Sequence, residues 1–367
     1  MRQTIQSSAS HPDDEHGKTD PILPAATGSK EEIATPLPKE VMRQHFENRG
    51  LSRRTVDIIT ASWRASTCKQ YQVYITQWRR FCHSRNTSYL QAEVETVLEF
   101  LSSLFHDRNL SYSAINTARS ALSTFLILVD SNQTISTHPL ITRLMRGVFQ
   151  LRPVVPRYTE IWNISPVLNF LRKLSPVNSL NLRDLTLKVC MLMALVSAQR
   201  VQTLHILKTN KMTLKGGFVV FHLDEHLKQS KPGNTDFNFK LEAYPPDRRL
   251  CIVKYVKHYV QRTGPLRGNE NSFFVSYTRP HNRVTTQTLS RWIKTCLKRA
   301  GVDTNVYKAH STRAASTSAA AKAALPMDQI LARAGWSSEK TFRKFYRKPF
   351  ENKRNFTQAV LQDSTLL

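Results

Sequence analysis

The stretch DLTLKVCMLMALVSAQR, residues 184–200, decides how the second half of this chain folds. It reads as an apolar helix that ends by presenting Arg200. Such a helix needs other elements packed about it. The next segment, VQTLHILK (201–208), reads as a helix, and two strands follow, GFVVFHL (217–223) and FNFKLEA (237–243). The second strand alternates Phe237, Phe239 and Leu241, as a half-buried strand does. Between the strands KPGN (231–234) is a turn. Pro232 sets its first dihedral and Gly233 admits positive φ, which puts Lys231 at a hairpin tip.

Further along, a helix from about Thr286 turns Leu289, Trp292, Ile293, Cys296 and Leu297 inward and ends at Gly301. AHSTRAASTSAAAKAAL (309–325) then places His310 near a helix start. Arg313, three residues on, shares its face, and the free N–H groups and positive dipole end there favour an anion. MDQILARAGW (327–336) closes on Trp336. Ser337 or Ser338 caps a last helix with Glu339 in its first turn. Tyr346 sits at the far end of that helix, and Pro349 stops it.

The chemistry of these side chains suits a phosphodiester. Arg200 and Arg313 each offer a planar fork of donors and stay charged at any working pH. His310, a lysine and the indole N–H of Trp336 add donors around the same oxygens. The hydroxyl of Tyr346 can attack phosphorus and hold it covalently. Singly, each sign is weak: H-x-x-R is common, a tryptophan is most often core, and Tyr346 is one of 11 tyrosines. The ordered set is what carries weight.

The order Arg, Lys, His-x-x-Arg, Trp, Tyr, in the strings AQRVQTL, QSKPG, AHSTR, AGW and KFY, resembles the tyrosine recombinases, the phage-integrase family. The resemblance is strongest over residues 160–350 and thinner over 55–150. The flanks QRVQTLHIL, LKQSKPG, AHSTRAASTSAA and AGWSSEKTFRKFY are most similar to recombinases of eukaryotic DIRS-type retrotransposons. In two places the chain departs from the pattern. Thr203 stands where many members have an acid, and the interval from Trp336 to Tyr346 is one residue longer than in the common bacterial pattern. The resemblance implies a catalytic set of Arg200, Lys231, His310, Arg313, Trp336 and Tyr346, with Tyr346 the nucleophile and Lys228 the fallback for Lys231. It also implies the fold class: mainly α with a small β-hairpin or sheet, as a helical core-binding domain plus an α+β catalytic domain.

Upstream, Tyr71, Tyr74, Trp78 and Phe81, with Ile75 and Cys82, recur at three- and four-residue steps as one apolar stripe. Arg64, Lys69, Arg79, Arg80 and Arg119 lie between the stripes and are candidates to touch DNA phosphates, although a solvated face explains each singly. The organisation expected is a disordered tail over 1–50, a helical DNA-clasping domain over 51–150, a proline-bearing linker LRPVVPRYTE over 151–160, a catalytic domain over 161–350 and a C-terminal tail over 351–367. In the family such tails dock on a neighbouring protomer. HPDDEH (11–16) looks like a metal motif, but QSSAS before it cannot supply the buried strand that motif needs, so no metal is expected.

Composition agrees with a nucleic-acid enzyme. Of 367 residues, 53 are Lys or Arg against 27 Asp or Glu, a net charge of +26. Residues 1–50 hold 6 basic and 8 acidic residues, so the remaining 47 basic and 19 acidic residues give the rest a net +28. A field of that size suits a polyanion and makes binding salt-dependent. The 5 cysteines are scattered, with no C-x-x-C pair, which argues for a reducing compartment. No run is long enough for a membrane span. The expectation is a soluble intracellular protein, nuclear by its resemblance to eukaryotic elements, that works on double-stranded DNA as a self-assembled tetramer without metal or cofactor. Its reaction would be site-specific recombination and DNA integration for a mobile element through a 3′-phosphotyrosyl link. A catalytically silent DNA-binding descendant and a type IB topoisomerase-like enzyme are the alternatives.

Overall fold

The computed structural model describes residues 38–225 and 238–350. The chain divides into two compact units, Met1–Val155 and Pro156–Leu367.

The described part of the first unit is helical. It comprises α1 (Pro38–Asn48), α2 (Arg53–Ala61), α3 (Ala65–Ser84), α4 (Val94–His106), α5 (Tyr112–Leu122) and α6 (Pro139–Leu151). Side chains set the starts: Ser52 accepts from Thr55 N–H, Ser111 accepts from Ala114 N–H, and Pro139 opens α6. The expected stripe on α3 turns Ile75, Trp78 and Cys82 into the core, with Tyr71, Tyr74 and Phe81 at its edge. Trp78 satisfies its indole by donating to the Tyr89 carbonyl at 2.9 Å. Two short parallel strands, β1 (Gln91–Ala92) and β2 (Ile127–Leu128), tie the loops before α4 and after α5.

One correction concerns the tail expected over 1–50. Residues 38–48 form α1, whose Val41 and Met42 are fully buried in the first unit's core. Val41, Met42, His45 and Phe46 recur at helical spacing, but over so few residues that the neighbouring prolines hide the period.

The second unit is built around α8 (Leu182–Ser197), whose residues Leu185 to Leu195 are all buried. Around it stand α7 (Ile164–Lys173), α9 (Val201–His205), α10 (Ile252–Thr263), α11 (Thr286–Arg299) and α12 (Ser311–Lys322). The short α13 (Met327–Ala334) and α14 (Glu339–Phe345) complete it. An antiparallel sheet runs β3 (Met212–Lys215), β4 (Phe218–His222), β5 (Asn238–Glu242). Val219 pairs with Leu241 and Phe221 with Phe239, and these four point into the core. The helix expected over 201–208 stops at His205. Beyond it the backbone is drawn into pairing with residues 271–273, Phe273 N–H donating to the Leu207 carbonyl and Thr209 N–H to Asn271. Strand β3 is an addition to the two strands expected. The chain is thus mainly helical with one small sheet.

Candidate active site

Five of the six expected residues meet in the second unit. Arg200 stands just after the C-terminus of α8. There Ala198 takes a left-handed conformation (φ 52°) and turns the chain sharply, leaving Arg200 extended at the head of α9. His310 is exposed at the N-terminal end of α12. The turn beneath it is pinned by Ser311, whose hydroxyl accepts from buried Trp162 Nε1 at 2.9 Å and donates to the Lys308 carbonyl.

Arg313 lies one turn into α12 and is only 2% exposed. Its Nη2 donates to the Ala334 carbonyl at 2.6 Å, whereas Nε and Nη1 are buried with no hydrogen-bond partner among the described residues. Burial, then the nearby positive charge of Arg200, push the Arg313 pKa down to about 10. Two arginines are thus held near each other, one of them desolvated, with donors unused. A phosphate would answer both, since buried charges are normally paired.

Trp336 follows Gly335, whose left-handed φ of 66° closes α13. Its ring lies under the Arg313 guanidinium at 4.6 Å and beside the Tyr346 ring at 4.3 Å, with the indole Nε1 buried and without a partner among the described residues. It also packs on Phe342 in a small cluster with Ala198, Ile330 and Ala334, so it is both core and site wall. Ser338 caps α14 by accepting from Lys340 N–H. Tyr346 ends that helix half-buried, its hydroxyl 3.1 Å from His310 Nε2 and its ring 5.4 Å from the Arg313 guanidinium carbon. Its carbonyl accepts from Ser318 Oγ at 2.8 Å.

Lys231 and its fallback Lys228 lie outside the described residues, so the structure does not position a lysine here. Thr203 is buried and donates to Gln199 Oε1 at 3.3 Å. Gln199 Nε2 in turn donates to the Arg333 carbonyl at 2.5 Å. Where the family pattern has an acid, this chain has a neutral relay joining the start of α9 to the end of α13. Neither Gln199 nor Ser318 was among the expected site residues. The only signal for Ser318 was a run of hydroxyls inside an alanine-rich helix.

Of the five candidate phosphate contacts in the first unit, Arg64, Lys69 and Arg80 are exposed. Lys69 and Arg80 share a face of α3 at their spacing. Arg79 is half-buried over the Tyr89 ring at 5.0 Å, and Arg119 is half-buried with its Nε without a partner among the described residues. Among the described residues no three His, Cys, Asp or Glu side chains gather as a metal site. No described helix is long and apolar enough to cross a membrane.

Residues 164–353, just over half of the chain, match the phage integrase family. The chain belongs to that family, the tyrosine recombinases. Its fold agrees with solved structures of site-specific recombinases. A post-cleavage complex of XerH recombinase bound to palindromic difH substrate superposes with a TM-score of 0.55 at 12% identity, covering 91% of this chain and 98% of that one. The Tn1549 transposon integrase in complex with transposon right end DNA gives 0.53 at 12% identity, covering 90% and 99%. At these identities the likeness of this phage integrase family member to those structures concerns the fold alone. No curated protein matches the chain.

Proposed function

We propose that this tyrosine recombinase cuts and rejoins double-stranded DNA at specific sites. The observation that carries the reading is the hydroxyl of Tyr346, 3.1 Å from His310 and beside an arginine with two unused buried donors. Tyr346 attacks a phosphodiester, His310 takes the phenolic proton, and the P–O bond to the 5′-oxygen breaks. A 3′-phosphotyrosyl link results, and attack by a 5′-hydroxyl on that link rejoins DNA and frees the tyrosine. Arg200, Arg313 and Trp336 bind the non-bridging oxygens as charge builds. Lys231 protonates the leaving 5′-oxygen.

Recombination of two duplexes requires several protomers, and four is the number that fits two exchanged sites. The sequence likeness to DIRS-type elements supports integration of a mobile element, in a nucleus, as the setting of the activity. The basic charge outside residues 1–50 supports DNA as the partner. Thr203 favours a second reading, a catalytically silent DNA-binding descendant.

A nicked duplex that loses its leaving strand on cleavage tests the reading. The wild-type chain should accumulate a denaturant-resistant adduct in the presence of chelator, and Tyr346→Phe should bind DNA but form none. Adduct from Tyr346→Phe would assign the nucleophile elsewhere, and binding without adduct from wild type would favour the silent reading. Binding should weaken steeply as salt rises.

A further inference from the structure

Ser318 sits on α12, five residues beyond Arg313, and is 5% exposed. Its Oγ donates to the carbonyl of Tyr346 at 2.8 Å and accepts from the N–H of Lys348 at 3.2 Å. Tyr346 closes α14, so its carbonyl has no helical partner, and Lys348 N–H lies just past the same end. One hydroxyl therefore satisfies both sides of the turn that follows the tyrosine. The neighbouring hydroxyls behave differently: Ser316 and Thr317 both donate back to the Arg313 carbonyl within α12. Ser318 turns outward instead and joins two helices. Beyond it, Ile161 N–H donates to the Pro349 carbonyl at 2.8 Å, so the segment after Tyr346 is fastened at a second point.

This arrangement connects the two halves of the site. α12 carries Arg313 and starts beside His310, while α14 carries Tyr346. The phenol oxygen lies on the order of 6 Å from its own Cα by standard bond lengths, so a small swing of the backbone there moves the oxygen by about 1 Å. A displacement of that size can cost roughly 10²-fold in rate.

We infer that Ser318 is a positioning residue for the nucleophile, fixing the Tyr346 backbone so that its oxygen stays between His310 and a phosphate on Arg313. The inference rests on the proposed function for its catalytic consequence but not for the anchoring itself. The test uses the full chain with Ser318→Ala and Ser318→Thr. Amide exchange over residues 346–350 should quicken at least about tenfold in Ser318→Ala, and hydroxyl-bearing Ser318→Thr should restore most of the protection. Single-turnover adduct formation at saturating nicked duplex should slow about 10- to 100-fold in Ser318→Ala, with DNA affinity within about twofold of wild type and rescue by Thr.

Unchanged exchange would overturn the anchoring. Faster exchange with unchanged cleavage would overturn the role in the reaction. Loss of DNA affinity in parallel with rate, without rescue by Thr, would reduce Ser318 to a fold contact and overturn the proposal too. If wild type forms no adduct, the functional reading fails by itself, and the exchange measurement still decides whether Ser318 holds Tyr346.

Discussion

His310 Nε2 and the Tyr346 hydroxyl lie 3.1 Å apart, brought together across 36 residues of sequence by the end of α14 and the start of α12. That distance suits direct proton transfer from the phenol as it attacks. His310→Ala should therefore slow single-turnover cleavage by about 10²-fold while leaving DNA affinity nearly unchanged. Because His310 is exposed, its removal opens no cavity, and the melting temperature should stay within about 2 °C of wild type. A full-rate His310→Ala enzyme would leave proton removal to another group.

Arg313 makes a separate prediction. Its two buried unpartnered donors, with Arg200 near, form a place for a tetrahedral anion. Sulfate should raise the melting temperature of wild type in a saturable way, and Arg313→Ala should lose that rise. On DNA, Arg313→Ala should cost about 10²- to 10³-fold in cleavage, as removal of one preorganised donor to a charged transition state does. An equal sulfate response from both proteins would put the anion elsewhere.

Much of this site was legible in the sequence, for definable reasons. The run 184–200 announces an apolar helix that ends by presenting Arg200. A serine before Glu339, Ser337 or Ser338, marks the start of the last helix, and the structure uses Ser338. What the sequence hid depends on tertiary pairing. Strand β3 is only 4 residues long and mostly exposed, so its Met-Thr-Leu-Lys alternation is too brief to mark a strand. The end of α9 at His205 is dictated by backbone partners more than 60 residues away. The Ser318 link has no pattern of its own, because a serine in an alanine-rich helix usually bonds its own backbone.

Lys231 is tested through its leaving group. A 5′-oxygen needs a proton to depart, whereas a 5′-sulfur leaves readily as thiolate. Lys231→Ala should be slow on ordinary DNA and largely rescued on DNA with a bridging sulfur at the cut. Arg313→Ala should show no rescue, because it loses charge stabilisation at the non-bridging oxygens. Equal defects on both substrates would remove Lys231 from the acid role and bring Lys228 forward for the same comparison.

Lys188 supplies the last prediction, about stability. It is fully buried at the middle of α8, donating to the Leu174 carbonyl at 2.7 Å with its ammonium 3.8 Å from the centre of the Tyr255 ring. Burial, then the nearby Lys254 charge, push its pKa down to about 7 from an ordinary 10.5, against a partial offset from Asp247. Between those two values the unfolded chain binds the proton and the folded chain does not. Stability therefore rises with pH across that window, by up to ~1.4 kcal/mol per pH unit for this group, and is lowest below pH 7. Lys188→Met keeps the volume and removes the titration, while leaving the Leu174 carbonyl without its donor at a cost of about 1–3 kcal/mol. Relative to the variant, wild type should gain roughly 3 kcal/mol between pH 6 and pH 9, a difference that cancels other titrating groups common to both chains. Urea unfolding at the two pH values measures it. A difference that stays flat would mean that Lys188 titrates alike in the folded and unfolded chains, and that water reaches it inside the second unit.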